Sequence, residues 1–223
     1  MPNYCDTRVG FICDEANKDE LKKLYNVFYD LYKKYGYGDY IPLTEILLVH
    51  GLECNITPCD GNICYVGDYT DSDIYFRISA ITDWKPAPEL WDTVIKQYTG
   101  LRYVYMAENQ GGGIFVNTDL ENVCFREKYV IYASISSSSY DELPAEYFTG
   151  NITSQELLDE THRFSSFKEL QDFMTELTGK TFETIKRMNY YLHDAMAVYD
   201  EYNGSSDDSI IEINEYAPEY KEE

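Results

Sequence analysis

The spacing of apolar residues predicts that the chain begins with a strand followed by a long helix. Apolar and polar positions alternate from Asn3 to Cys13, which is typical of a short strand. From Leu21 to Tyr35, leucine, phenylalanine and tyrosine recur at the spacing of one helical face, and Gly36 follows them. This pattern predicts an amphipathic helix that packs one side on a core and ends at the glycine.

Strands dominate the chain from there to residue 135, and helices interrupt them. The predicted elements are a short helix ending at Val49, strands at 63–66 and 74–81 that form a hairpin, a helix between Pro88 and Gly100, and strands at 101–106, 114–116 and 128–135. The order β-α-β-β-α-β with added strands is typical of a ferredoxin-like fold. We therefore expect an α+β protein with a ferredoxin-like antiparallel sheet and two covering helices.

After residue 135 the composition changes and the pattern becomes mostly helical. A serine-rich stretch that begins at Ser136 predicts a linker or loop. Helices are predicted over 155–164, over 167–178 with Ser166 as N-cap and from Thr181 to Tyr202, and a short strand over 210–213. The chain is thus divided into an α+β domain of residues 1–135, a linker or loop of residues 136–150, and an acidic helical extension of residues 151–223 with a short strand and a tail.

Charge is the compositional feature that most restricts function. The chain has 40 acidic and 18 basic side chains among 223 residues, which gives a formal net charge of −22. A surface this negative repels phosphate backbones and anionic lipid headgroups. Direct binding to nucleic acid or to a membrane is therefore not expected, and the expected partner is a basic protein.

The sequence shows neither a membrane-spanning segment nor a signal peptide, which predicts an intracellular protein. No apolar run approaches the roughly 18 residues that span a bilayer, and the N-terminus lacks the basic start and apolar stretch of a signal peptide. We therefore expect a soluble, cytoplasmic protein. Its six cysteines are then expected to be free thiols, because disulfides are rare in reducing compartments.

Two groups of residues resemble metal ligands, but their spacing does not fit a known site. The first group is His50, Cys54, Cys59 and Cys64, and the second is Asp68, Asp71 and Asp73. The cysteines are further apart than the short pairs typical of structural zinc sites. The aspartates lack the ligand order of an EF-hand and predict a solvated turn. No metal or cofactor is expected.

Three short segments resemble the YubB-like, or Api92-like, proteins of phages and plasmids. They are the opening Met1-Pro-Asn-Tyr-Cys5, the stretch Phe76-Arg-Ile-Ser-Ala80-Ile-Thr-Asp-Trp84-Lys-Pro86-Ala-Pro88, and the turn Glu108-Asn-Gln-Gly-Gly-Gly-Ile-Phe115. The family's Trp-Gly-Thr-Lys-Trp hairpin is replaced here by the stretch that begins at Tyr65. The resemblance covers residues 1–135. It implies a ferredoxin-like domain, a mobile genetic element and a bacterial host cytoplasm, and it implies no activity.

The absence of a catalytic motif and the negative charge together predict a non-enzymatic binding protein. None of the three histidines belongs to a motif that pairs it with a nucleophile. Rows of carboxylates can imitate a nucleic-acid backbone and occupy a basic groove of a host nucleic-acid-binding protein, as in the inhibition of a defence system. The residues predicted to bind this partner are Asp159, Glu160, Asp172, Glu176, Asp200, Glu201, Asp207, Asp208, Glu212, Glu215 and Glu219.

Three other interpretations of the same sequence stay open. The acidic residues can serve solubility alone, since a charge run is usually a solvated face. The protein can instead bind a small molecule or nucleotide, as sensor, sponge or enzyme, in a sheet surface or a cleft lined by Tyr65, Tyr69, Phe76, Tyr103 and Tyr105. It can also be a virion protein that self-associates through a sheet edge.

Overall fold

The fold divides into two compact units, each with its own sheet and core. The computed structural model describes residues 4–36, 40–53, 60–134, 143–150, 152, 156–157, 161–203 and 209–221. The first unit comprises Met1–Phe125 and Ala217–Glu223, and the second comprises Arg126–Tyr216. The chain therefore leaves the first unit after Phe125, forms the second, and returns to the first at Ala217.

Over its described residues, the first unit consists of an antiparallel sheet and three helices. Its elements are β1 (Tyr4–Cys13), a 3-10 turn (Glu15–Asn17), α1 (Lys18–Tyr35), β2 (Ile41–Pro42), α2 (Leu43–Val49), β3 (Gly61–Val66), β4 (Tyr75–Asp83), α3 (Pro88–Ile95), β5 (Leu101–Asn109) and β6 (Ile114–Asn117). The six strands lie in the order β2-β3-β4-β1-β5-β6, and every neighbouring pair is antiparallel. The predicted α+β class is confirmed, and so is the predicted β3–β4 hairpin.

The helices pack on one face of this sheet, and Phe11 of β1 lies in the resulting core. Its ring centroid is 5.4 Å from that of Phe28 on α1, 5.2 Å from Phe76 on β4 and 5.9 Å from Trp91 on α3. All four side chains are at most 1% exposed. Burial of each such side chain contributes about 1.5–3 kcal/mol, so this aromatic cluster holds the helices against the strands.

The C-terminal segment of the chain belongs to the first unit, where it lies beside β6. The N–H of Ala217 donates to the carbonyl of Phe115, and the N–H of Asn117 donates to the carbonyl of Ala217, both at 2.8 Å. Tyr220 then packs against the core. The sequence grouped this segment with the helical extension, because its contacts with β6 have no signature in its own polar composition.

In the part that the structure describes, the second unit is a three-stranded sheet covered by helices. Its elements are β7 (Tyr129–Ser134), β8 (His162–Phe164), α4 (Phe167–Thr178), α5 (Ile185–Asn203) and β9 (Ile210–Glu215). The strand order is β8-β7-β9, and both pairs are antiparallel. Met174 of α4, Leu192 of α5 and Ile213 of β9 share its core. Within the described ranges, neither unit has a helix long and apolar enough to cross a membrane.

The extension after residue 135 is less helical than its sequence predicts. The strand predicted at 128–135 exists, but it is β7 and lies in the second sheet rather than the first. The end of the predicted helix 155–164 is strand β8, because its backbone pairs with β7. The cap of α4 is confirmed, since Ser166 Oγ accepts the N–H of Glu169. Residues 136–142 of the predicted linker lie outside the described residues.

Candidate functional site

The face of the first sheet that the helices leave uncovered carries all three arginines of the first unit. Side chains alternate between the two faces of a strand, and Val9 and Phe11 of β1 point into the core. Arg8 on β1 therefore points to the other face. The registers of the neighbouring strands place Arg77 of β4 and Arg102 of β5 on that same face. We call it the open face.

The two arginines Arg8 and Arg77 are diagonal neighbours on adjacent strands. Arg8 lies opposite Ser79 on β4, and Arg77 is two residues from Ser79 on the same face. Diagonal partners of this kind are roughly 7–8 Å apart, close enough for two long side chains to reach one ligand. Ser79 also lies opposite Tyr65 on β3. The small side chain of Ser79 therefore lies between Tyr65 and Arg8 on the open face.

The chain after β6 folds over the remainder of the open face, and Gly10 makes this possible. A Cβ at position 10 would lie 2.4 Å from Cys124 Sγ and 2.8 Å from Cys124 Cβ. The thiol therefore occupies the space above β1 that any other residue at position 10 would fill. We call residues 118–125 the cover loop. Glycine inside a strand often indicates such a close approach.

Asp119 holds the cover loop in place from within. Its Oδ2 accepts the backbone N–H groups of Cys124 at 2.6 Å and Phe125 at 2.9 Å. The residue is fully buried, and its Oδ1 has no hydrogen-bond partner. Arg102 adds an ion pair to the loop, with its Nη2 2.5 Å from Glu121 Oε2. The cover loop is therefore held by the buried carboxylate of Asp119 and by the exposed ion pair of Glu121 with Arg102.

Arg8 is held in position by three neighbours. Its Nη2 lies 3.4 Å from Met106 Sδ and 3.8 Å from Glu108 Oε1, and its guanidinium lies 5.7 Å from the centroid of the Phe125 ring. Arg77 is more exposed and donates to the carbonyl of Cys124 at 3.5 Å. A guanidinium that is already oriented loses little freedom when it binds an anion, which favours binding.

These side chains enclose a groove of about 340 Å³ on the open face. Arg8, Arg77 and Ser79 lie along it, Tyr65 and Phe125 flank it, and the connector between β3 and β4 adds two carboxylates, Asp68 and Asp73. The ring of Tyr65 is 52% exposed. Asp73 accepts hydrogen bonds from the N–H and hydroxyl of Thr70, and these lower the pKa of its carboxyl group.

Burial makes three cysteine thiols of the first unit poor nucleophiles. Burial, and then the charge of Asp119, raises the pKa of Cys124 to about 12. Burial likewise raises the pKa of Cys5 to about 11 and that of Cys64 above its usual value. Since the thiolate is the reactive form, covalent chemistry at these sulfur atoms is disfavoured at neutral pH.

The histidine, cysteine and aspartate residues that resemble metal ligands in the sequence do not form a metal site among the described residues. No set of three or more potential metal ligands occurs in that part of the chain. Cys54 and Cys59 lie outside it. The ring nitrogens of His50 are within hydrogen-bond distance of the Ile46 carbonyl at 2.6 Å and the Tyr98 hydroxyl at 2.7 Å. Both nitrogens thus serve the fold of the first unit.

The acidic residues predicted to bind a partner are scattered over several elements. Asp159, Glu160, Asp207 and Asp208 lie outside the described residues. Asp172 and Glu176 lie on α4, Asp200 and Glu201 on α5, Glu212 and Glu215 on β9, and Glu219 in the C-terminal segment of the first unit.

Several of these carboxylates already have partners within the fold. Asp172 forms an ion pair with Lys168, and Glu219 Oε1 lies 2.8 Å from Lys221 Nζ. Asp200 accepts the N–H of Ser209 at 3.0 Å. Self-pairing reduces the charge that a basic partner meets. Binding of a basic host protein through these residues stays a prediction.

Only one of the five aromatic residues suggested for a small-molecule site presents its ring to the groove. Tyr65 does so, whereas Phe76 turns its buried ring into the core. Tyr69 packs against Tyr25 of α1, with ring centroids 4.9 Å apart. Tyr103 and Tyr105 point to the helix-covered face. The sequence could not separate them, because assignment to a face depends on strand register.

The arginines of the open face and the cover loop were not predicted from the sequence. Two signals were available: Gly10 inside a strand, and the alternation of side chains that puts Arg8 on the face opposite Val9. No model of a protein family, no curated protein and no solved structure matches this chain. The geometry of the groove is therefore the basis for the function proposed below.

Proposed function

We propose that the first unit is a binding protein for a small ligand that combines a phosphate group with an aromatic ring. The observation that carries the proposal is the position of Arg8 and Arg77, side by side on the open face and next to the exposed ring of Tyr65. All three arginines of the first unit share this face, whereas most of its lysines lie on α1. Solubility does not require all the arginines of a unit to lie on one face.

The chemistry of arginine favours an oxyanion as the ligand. The planar guanidinium donates paired hydrogen bonds that match the oxygens of phosphate, and it is less strongly hydrated than the ammonium group of lysine. Tyr65 offers a flat apolar surface on which an aromatic ring can stack. A ligand with a phosphate at one end and a ring at the other, such as a nucleotide, would contact both.

The size and surroundings of the groove favour a small ligand over a polymer. About 340 Å³ lies near the lower end of the range typical of small-molecule sites. Asp68 and Asp73 flank the two cations, and the chain as a whole carries a net charge of −22. A nucleic-acid strand that extended beyond the groove would meet this negative charge and be repelled.

The strand order also supports a more specific description of the fold. The inner strands follow the order β3-β4-β1-β5, with α1 and α3 in the two crossovers, and this is the order of a ferredoxin-like sheet. We propose this fold for the first unit. Membership of the YubB-like family, and with it an origin in a phage or plasmid, stays a proposal that rests on the short sequence motifs.

Arg77→Met tests the groove directly, because methionine keeps much of the side-chain length without its charge. We expect the affinity of the intact chain for adenosine 5′-monophosphate, measured by isothermal titration calorimetry, to fall at least about tenfold. A charge-assisted hydrogen bond contributes about 1.5–3 kcal/mol, which corresponds to this loss or more.

Arg187→Gln is the matched control, because it removes the same charge from α5 in the second unit. Arg187 is exposed and pairs only loosely with Glu183, at 3.5 Å. The control should bind as the unchanged protein does. An equal loss of affinity in both variants would indicate a general charge effect and would contradict the proposed site.

A further inference from the structure

Asp68 gives the groove a second recognition element, beside the arginine pair. It follows Gly67, whose N–H donates to the carbonyl of Arg77 at 2.8 Å, so the connector runs next to β4 at the position of Arg77. A Cβ on Gly67 would lie 2.9 Å from that carbonyl oxygen. The glycine therefore permits the close approach that places Asp68 at the groove.

The two carboxylates at the groove differ in their availability. Asp73 already accepts two hydrogen bonds from Thr70, at 2.7 and 2.8 Å. Among the described residues, no hydrogen bond or ion pair occupies Asp68, and its side chain is exposed. An ionised carboxylate only accepts hydrogen bonds, so the ligand group that it recognises must be a donor.

The groove offers three kinds of contact, and a nucleotide has a group for each: a ring for Tyr65, hydroxyl donors for Asp68 and a phosphate for the arginines. Tyr65, Asp68 and Arg77 line one groove, and Tyr65 and Asp68 are separated by only two residues of the chain. We infer that the ligand is a ribonucleoside monophosphate, with its base on Tyr65, its ribose hydroxyls on Asp68 and its phosphate on Arg8 and Arg77. This inference rests on the proposed function of the groove.

The balance of charge favours a single phosphate group. Two arginines line the groove, and Nη2 of Arg8 already lies 3.8 Å from Glu108 Oε1. The further phosphates of a triphosphate would add negative charge beside Asp68 and Asp73, which favours a ligand with one phosphate. The vicinal hydroxyls of ribose are the donors that a carboxylate can accept in pairs, as acidic residues do in dinucleotide-binding proteins.

Matched pairs of ribo- and 2′-deoxyribonucleoside 5′-monophosphates, one pair for each base, test this inference by calorimetry on the intact chain. For the preferred base we expect the ribonucleotide to bind about tenfold more tightly than its deoxy partner. Asp68→Ala should abolish this difference, because the carboxylate that accepts the 2′-hydroxyl is then missing. Asp71→Ala is the control, because Asp71 lies in the same connector but pairs with Lys22 of α1 at 2.9 Å.

The possible results separate the inference from the proposed function. If ribo and deoxy forms bind equally to the unchanged protein and Arg77→Met still weakens both, the ribose contact is refuted and the anion site stands. If no nucleotide binds at millimolar concentration, both are refuted. Retention of the ribo preference in Asp68→Ala would also overturn the role given to Asp68.

Discussion

Gly10→Ala is expected to lower the free energy of unfolding of the first unit by about 3 kcal/mol, near the upper end of typical overpacking penalties. The new methyl group would lie 2.4 Å from Cys124 Sγ and 2.8 Å from Cys124 Cβ, so the cover loop must move or β1 must bend. Neither adjustment is easy, because Asp119 pins the loop and β1 pairs with strands on both sides.

Tryptophan fluorescence during urea denaturation measures this effect in the right unit. The chain contains two tryptophans, Trp84 and Trp91, and both belong to the first unit. Cys124→Gly in the Gly10→Ala background removes both clashing atoms and should restore a large part of the loss. Gly113→Ala is the control, since no atom lies within 4 Å of its Cβ position and only its positive φ opposes the change. A Gly10→Ala variant as stable as the unchanged protein would show that the loop does not cover β1.

Asp119→Ala is expected to cost a similar amount, about 3 kcal/mol, and to weaken ligand binding as well. The substitution leaves the buried N–H groups of Cys124 and Phe125 without an acceptor, and each unsatisfied group costs about 1–3 kcal/mol. Some of this cost is offset, because a buried carboxylate with an unpartnered Oδ1 is also removed. Phe125 flanks the groove and lies beneath Arg8, so a released loop also frees the arginine.

Asp119→Asn separates the hydrogen bonds from the charge. The amide oxygen can accept both N–H groups, and the amide nitrogen then takes the place of the unpartnered oxygen. We expect this variant to stay within about 1 kcal/mol of the unchanged protein in urea denaturation. Equal losses in the alanine and asparagine variants would mean that the charge, rather than the two hydrogen bonds, anchors the loop.

Local patterns were sufficient to predict most elements of the first unit. The helical face from Leu21 to Leu31, the polar connector between β3 and β4, and the prolines before α3 are signals carried within a few residues of the chain. Each depends on periodicity or on a backbone restriction that holds without tertiary context. The ends of these elements agree with the predicted ends to within a few residues.

Local patterns could not predict parts of the second unit or the groove, because these depend on pairing between residues that are far apart in the sequence. Strand β8 has only three residues and exists through its pairing with β7, and the C-terminal segment returns to β6 from a distant part of the sequence. The groove combines residues of β1, β3, β4 and the cover loop, and their meeting depends on strand register. Arginine residues 69 positions apart in sequence, Arg8 and Arg77, give no local signal of their proximity.

Mapping of ligand contacts by NMR tests whether the open face of the first sheet binds a small phosphorylated ligand. The intact, isotope-labelled chain would be titrated with adenosine 5′-monophosphate, and the amide and arginine side-chain signals would be followed. We expect the largest shifts at Arg8, Arg77, Ser79 and Tyr65, with little change on α1 and α3. Shifts concentrated in residues 126–216, or the absence of any shift at millimolar ligand, would contradict binding at this face.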